Sequence, residues 1–238
     1  DTDLYKFTMQ WFVLCQYPDV DVTYTFNNRN KSMKFTPEAV EEIKRGVRAL
    51  ATLRLKDHEH DWMKDHLPFL PVTYRQYLAS YRFNPDQVDI QLDADQQIQI
   101  TVRGKWRDTI LWEVPLMALI SETYFKVVDT DWNMDGQADL AFDKAAALDA
   151  AGCKFADFGT RRRRSFNTQD HVVEVMQRFK GFVGTSNPEI AMRMNCKALG
   201  TVAHEAIMGC SVLEGLRHAN RFCMDKWQEV YKADLGIA

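Results

Sequence analysis

The chain lacks the common fingerprints of nucleotide and hydrolase sites. It contains no GxxxxGK(S/T), no GxGxxG and no GxSxG, so a phosphate-bearing ligand must be held by other means. It also lacks a basic excess. A formal net charge of −3 argues against a dedicated nucleic-acid-binding domain, which usually carries cationic charge over a whole face. The five cysteines (Cys15, Cys153, Cys196, Cys210, Cys223) form neither a CxxC pair nor a Cys/His ligand spacing. They read as reduced thiols in a cytosolic or nuclear protein. His58, His60 and His66 share one charged segment, but the 58/60 spacing puts two of them on different helix faces, which argues against a metal site. No stretch approaches the roughly 18 to 20 consecutive apolar residues of a spanning helix, and the opening Asp1-Thr2-Asp3 is not a basic and then apolar leader pattern. With 46% hydrophobic residues over 238 positions, there is core material for one large domain or two modest ones.

What is present is one abrupt change of chemical character. The run Lys154-Phe155-Ala156-Asp157-Phe158-Gly159-Thr160 passes into Arg161-Arg162-Arg163-Arg164, then Asn167 to Asp170 and the helical spacing Val172, Val173, Val175, Met176, Phe179. That is a strand, a turn and a helix start. Guanidinium groups at the carboxyl end of a parallel strand, beside a glycine turn and a helix N-terminus, favour a polyanion. The planar guanidinium matches phosphate and carboxylate oxygens in pairs. Successive residues on a helix start point about 100° apart, so at most two of the four can aim at one ligand. Arg161 and Arg162, nearest the strand end, are the expected pair, with the others solvated or paired with acids.

Along the chain, residues 1 to 17 read as a helix with Thr2 or Asp3 near its cap. Val20 to Phe26 alternates as a half-buried strand, and Thr36-Pro37-Glu38 caps a helix to about Leu50. Asp57 to His66 and Pro71 to Ser80 are shorter helical pieces. Val88 to Leu92 and Gln97 to Val102 form an antiparallel hairpin around Asp93-Ala94-Asp95. Ile110 to about Val128 is apolar on nearly all sides, which predicts the central packing helix, with Pro115 bending it or marking a fresh start. After an alanine-rich helix ending at Gly152 the grammar alternates: strands at 155–158, 181–184 and 198–203, helices at 167–179 and 187–195. Such alternation implies parallel strands with helices outside, either an open doubly wound sheet or part of a barrel. His218 to Lys232 is an amphipathic helix, and Leu235 to Ala238 reads as the beginning of a further strand.

The expected strand ends carry Asp157, Thr185-Ser186-Asn187 and His204-Glu205, where both architectures gather ligands. His204 can serve as acid, base or nucleophile toward phosphorus, and nearby guanidiniums would hold a phosphoryl group on it. The Gly184-Thr185-Ser186-Asn187 turn supplies hydroxyls and an amide to a ligand or to the helix cap.

Five blocks in order along the chain then carry a resemblance: Asp1-Thr2-Asp3-Leu4-Tyr5-Lys6, Trp106 to Leu116, Asp157 to Arg163, Gly184 to Asn187, and Gly200-Thr201-Val202-Ala203-His204-Glu205. Together they resemble the nicotinate phosphoribosyltransferase family. The resemblance implies an N-terminal α+β domain over residues 1–135 and the first βα units of an irregular, truncated α/β barrel over 136–238. It implies synthesis of nicotinate mononucleotide and pyrophosphate from nicotinate and phosphoribosyl pyrophosphate, with coupled ATP hydrolysis, Mg²⁺, a cytoplasmic homodimer with shared active sites, and a place in NAD salvage. It makes His204 the phosphorylated residue. Phe158 would stack the pyridine ring, Tyr5 would cover its other face from a second subunit, and Arg161 with Arg162 would hold phosphates. Asp3, Asp157, Ser186 and Thr201 join the expected substrate-binding set. Ser186 stands where related nicotinamide enzymes have aspartate, and a neutral hydroxyl there suits a carboxylate ligand.

Two departures from the family pattern stand out. Ala206 replaces the tryptophan usual after His-Glu, and the later arginine- and Asp-Ser-Gly-containing blocks do not occur before Ala238. With a first residue other than methionine, the chain therefore reads as the N-terminal portion of an enzyme, inactive in isolation. The rival readings are a nicotinamide or quinolinate enzyme of the same chemistry, and a noncatalytic module whose arginines grip nucleic acid.

Overall fold

In the computed structural model, which describes residues 1–236, the first helix is the one around which the others pack. Helix α1 (Leu4–Gln16) buries Leu4, Met9, Phe12 and Val13, and also Lys6, Thr8 and Gln10. A buried polar side chain is tolerated only when partnered, and these are. The Gln10 amide donates to the Arg107 carbonyl at 2.8 Å and accepts from the Tyr74 hydroxyl at 2.9 Å. The Thr8 hydroxyl lies 2.5 Å from the Thr201 carbonyl. The apolar stretch expected as one central helix at Ile110–Val128 is buried as expected, with Ile110 and Leu111 in the core around α1 and Trp112, Leu116 and Ile120 in a second core, but it is divided. A one-turn helix α5 (Trp106–Thr109) and a 3₁₀ turn (Ile110–Trp112) precede α6 (Glu113–Val127). Pro115 falls in the first turn of α6, where a missing N–H costs no helical hydrogen bond, so it marks a fresh start.

Two apolar cores result. One joins α1 to α3 (Asp57–His66), α4 (Val72–Ser80), Trp106, Ile110 and Leu111, and to α10 (His204–Glu214) and α11 (Ala219–Tyr231) through Ala206, Cys210, Cys223, Trp227 and Tyr231. The other packs α2 (Pro37–Leu50) and α6 against Ile90, Ile98, Ile100 and Val102 of an antiparallel sheet. That sheet has the order β1-β3-β2, with β1 Asp21–Thr25, β2 Val88–Leu92 and β3 Ile98–Lys105. The hairpin expected between β2 and β3 is present, closed by the Asp93 carboxylate accepting from the N–H groups of Asp95 and Gln97.

The remaining strands, β4 (Phe155–Asp157) and β5 (Phe182–Thr185), are parallel and flanked by α7 (Gln137–Ala150), α8 (Phe166–Met176) and α9 (Pro188–Met194). The third parallel strand expected at 198–203 shrinks to a single bridge between Ala198 and Thr185. Gly200, at φ +141°, turns the chain away, and Thr201 docks its carbonyl on α1 instead of on a strand. His204 therefore opens a helix rather than closing a strand. The strand expected to begin at Leu235 runs into Ile237 and Ala238, which lie outside the described residues. No helix among the described residues is long and apolar enough to cross a membrane.

Gly184 tests the close approach of β5 to the following segment. At φ +140°, a Cβ there would lie 2.1 Å from the Lys197 carbonyl oxygen. Gly184→Ala is expected to destabilise the protein by about 3 kcal/mol, lowering the thermal midpoint by roughly 6–12 °C for a chain of this size. An unchanged midpoint would contradict this packing.

Candidate active site

The N-terminal segment lies across the carboxyl ends of β4 and β5. The Leu4 N–H donates to the Ser186 carbonyl at 2.7 Å, and the Ser186 N–H donates to the Asp157 carbonyl at 2.8 Å. Ser186 also donates its hydroxyl to the Asp3 carboxylate at 2.6 Å, and both side chains are buried. Asn187 caps α9 and donates to the Asp1 carboxylate at 2.7 Å. Burial pushes the Asp3 carboxyl up, opposed by hydroxyls of Ser186 and Thr160 and by the charge of Arg161.

Beside this seam runs a line of alternating charges. Lys6, with no solvent exposure, sits between Glu113, in close contact, and Glu205, 2.5 Å away. Glu113 also pairs with Arg161 at 2.8 Å. Glu205 in turn accepts from the Tyr24 hydroxyl at 2.5 Å and the Trp106 indole N–H at 2.8 Å. Burial alone would raise the Glu113 carboxyl, but Lys6 and Arg161 outweigh it and hold the group below its ordinary range. Tyr5 lies close enough to this line to feel Glu113, Asp3 and Arg161. Burial first, then the two carboxylates, push its phenol upward, so it remains neutral.

The arginine run is not a contiguous cationic strip. Arg163 is buried and bound to Asp1, Glu122 (2.6 Å) and Gln169. Arg164 lies over the rings of Phe125 and Trp132. Arg161 is half-buried on Glu113, and Arg162 is exposed. Asp157 has both carboxylate oxygens occupied, by the Gly159 N–H, the Gln169 amide and the Thr185 hydroxyl. It fixes the turn that presents Phe158, a residue 57% exposed. His204 is exposed in the first turn of α10, directly before Glu205. Tyr5, Asp3, Ser186 and Arg161 thus share one neighbourhood, and Glu205 ties the His204 turn to it. A separate cavity of about 350 Å³, lined by Phe7, Trp62, Tyr81, Phe83 and Phe166 among others, contains none of the expected site residues.

Residues 1–121 match the nicotinate phosphoribosyltransferase N-terminal domain, and residues 153–238 match the nicotinate phosphoribosyltransferase family. The chain belongs to the nicotinate phosphoribosyltransferase family. Over its whole length it is 40% identical to the nicotinate phosphoribosyltransferase of Methanosarcina mazei and 39% identical to that of Saccharomyces cerevisiae, covering 63% and 60% of those proteins. The crystal structure of the Porphyromonas gingivalis nicotinate phosphoribosyltransferase superposes with a TM-score of 0.95 at 32% identity, covering 99% of this chain and 61% of that one. The Vibrio cholerae structure gives 0.89 at 29% identity, covering 98% and 57%. The chain thus spans about three-fifths of the length of the curated relatives it matches.

Within this chain, Lys6, Glu113, Tyr24 and Trp106 are site neighbours that no sequence motif marked as such. Lys6 gave one signal, a charge set among the apolar positions of α1. Glu113 gave another, the one acid within the apolar run from Ile110 to Ile120. Because its folded-state pKa lies below the ordinary value of 4.5, the stabilisation from its ionised form is fully present above about pH 4.5. It is lost as pH falls through the lowered folded value. Glu113→Gln is expected to cost about 3 kcal/mol at neutral pH, with the gap from wild type narrowing below pH 4.5. Urea midpoints measured from pH 7 to pH 3 check this, and parallel curves would contradict it.

Proposed function

We propose that the full-length protein joins nicotinate to phosphoribosyl pyrophosphate, giving nicotinate mononucleotide and pyrophosphate with coupled ATP hydrolysis, as a step of NAD salvage. The observation that carries this is the convergence of Arg161 and the His204 turn on one ion-paired line within a chain of this family. Arg161 spends one guanidinium nitrogen on Glu113, and its other donors remain for phosphate oxygens. Exposed Arg162 adds a second charge. As the bond from the ribosyl carbon to pyrophosphate breaks and the pyridine nitrogen attacks, these cations stabilise the departing oxyanion. Phe158 and Tyr5 stack the flat ring.

His204 takes the γ-phosphoryl group of ATP. An N–P bond forms, the P–O bond to ADP breaks, and the imidazole proton leaves to solvent. The first turn of α10 supports this role, because its N-cap residue Ala203 offers no side-chain cap and leaves backbone N–H groups for an anion. Ser186 keeps its hydroxyl on Asp3. An aspartate in its place would set a second carboxylate against Asp3 and repel nicotinate. In this reading Asp157 and Thr201 act by holding their turns. Mg²⁺ would neutralise pyrophosphate oxygens. That ion would be carried chiefly by substrate phosphates and water.

The architecture belongs to the same proposal, with an α+β unit over 1–135 and the opening βα units of an irregular α/β barrel over 136–238. So does a cytoplasmic homodimer in which Tyr5 of the partner subunit covers the exposed ring of Phe158. In the full-length protein, ATP is expected to stimulate nicotinate mononucleotide synthesis, with nicotinate preferred over nicotinamide and quinolinate. His204→Ala should abolish acid-labile labelling from γ-labelled ATP and lower ATP-stimulated synthesis by about tenfold or more. A preference for nicotinamide, or unchanged ATP coupling in the variant, would contradict this reading.

A further inference from the structure

Lys6 has no solvent exposure, and each of the two carboxylates that neutralise it leads to a different expected site residue. Glu113 carries on to Arg161 at 2.8 Å, while Glu205 directly follows His204 in the first turn of α10. We propose that Lys6 is a positioning residue that couples the phosphate-binding arginine to the phosphorylated histidine. The inference rests on the function proposed above and adds to it a residue that touches neither substrate.

A buried ammonium that loses its carboxylates is heavily penalised, so Lys6 constrains Glu113 and Glu205 to stay on either side of it. Both carboxylates have second duties. Glu113 holds one edge of Arg161, and Glu205 accepts from Tyr24 of β1 and from Trp106. The shared ammonium therefore fixes where the Arg161 guanidinium stands relative to the turn that carries His204. When a polyanion draws Arg161 toward itself, Glu113 gives up part of that pairing and turns its charge to Lys6. Glu205 then loses some of its share of the ammonium, and the His204 turn feels the change. The segment that supplies Lys6 is itself pinned to the ends of β4 and β5 by Leu4 and Asp3, so the line cannot relax by sliding α1.

The test uses Lys6→Met, Glu113→Gln and Glu205→Gln in the full-length protein. For each, kcat, the KM for phosphoribosyl pyrophosphate and the ATP hydrolysed per nucleotide formed are measured. Glu113→Gln is expected to raise that KM about tenfold with a smaller rise in the ATP ratio, passed on through the shared ammonium, whereas Glu205→Gln raises chiefly the ATP ratio with the KM within about twofold. Lys6→Met should do both. A lysine that served only stability would lower yield or kcat and leave both quantities in place, and that result would overturn the proposal. If Lys6→Met does not fold, the split between the two glutamine variants decides, and identical behaviour of the two overturns the coupling. A wild-type protein that makes no nicotinate mononucleotide would remove the functional reading itself. An active wild type without the split would remove only the role of Lys6.

Discussion

A lysine ammonium with no access to water stays charged only where carboxylates surround it, and that constraint organises this molecule. Lys6 brings Glu113 at the start of α6 and Glu205 at the start of α10 to one point on α1. The helix that carries it packs against α3, α4, α10 and α11. Its N-terminal residues close over the ends of β4 and β5. Segments far apart in sequence thereby meet: residues 1–6, Glu113, Arg161, Ser186 and Glu205. A site assembled this way cannot be moved one residue at a time, because every charge in it also neutralises another.

Polar groups that look available in sequence prove to be spoken for. Ser186 gives its one proton to Asp3. Asp157 braces the turn before the arginines, and Arg163 locks that turn to Asp1 and Glu122. Exposed beside these braced groups stand Phe158, Arg162 and His204. Buried polar contacts hold the frame, and the groups suited to a ligand stand at its surface.

Local pattern made much of the frame legible. Alternation marked β2 and β3, Thr36 before Pro37 marked the start of α2, where its hydroxyl accepts from the Ala39 N–H, and Pro115 signalled a bend or a fresh start, of which the start of α6 is the second. What stayed hidden depends on contacts distant in sequence. Lys6, Thr8 and Gln10 carried no mark of burial in the sequence, and only their partners on other segments account for it. The stretch 198–203 is apolar enough for a strand, yet the φ of Gly200 and the pull of Thr8 on Thr201 leave a single bridge. Helix α10 hides its period because Met208 and Val212 are apolar and exposed. The candidate residues were readable from short motifs at their own positions. The charge line that joins them was not, because no two neighbours in that line are neighbours in sequence.

On this account Arg161 and Glu205 are coupled through Glu113 and Lys6. A double-mutant cycle on unfolding free energy, with Arg161→Met, Glu205→Gln and the double variant, measures that coupling directly. A coupling energy of about 0.5 kcal/mol or more is the predicted result. Additivity within about 0.3 kcal/mol would contradict the account.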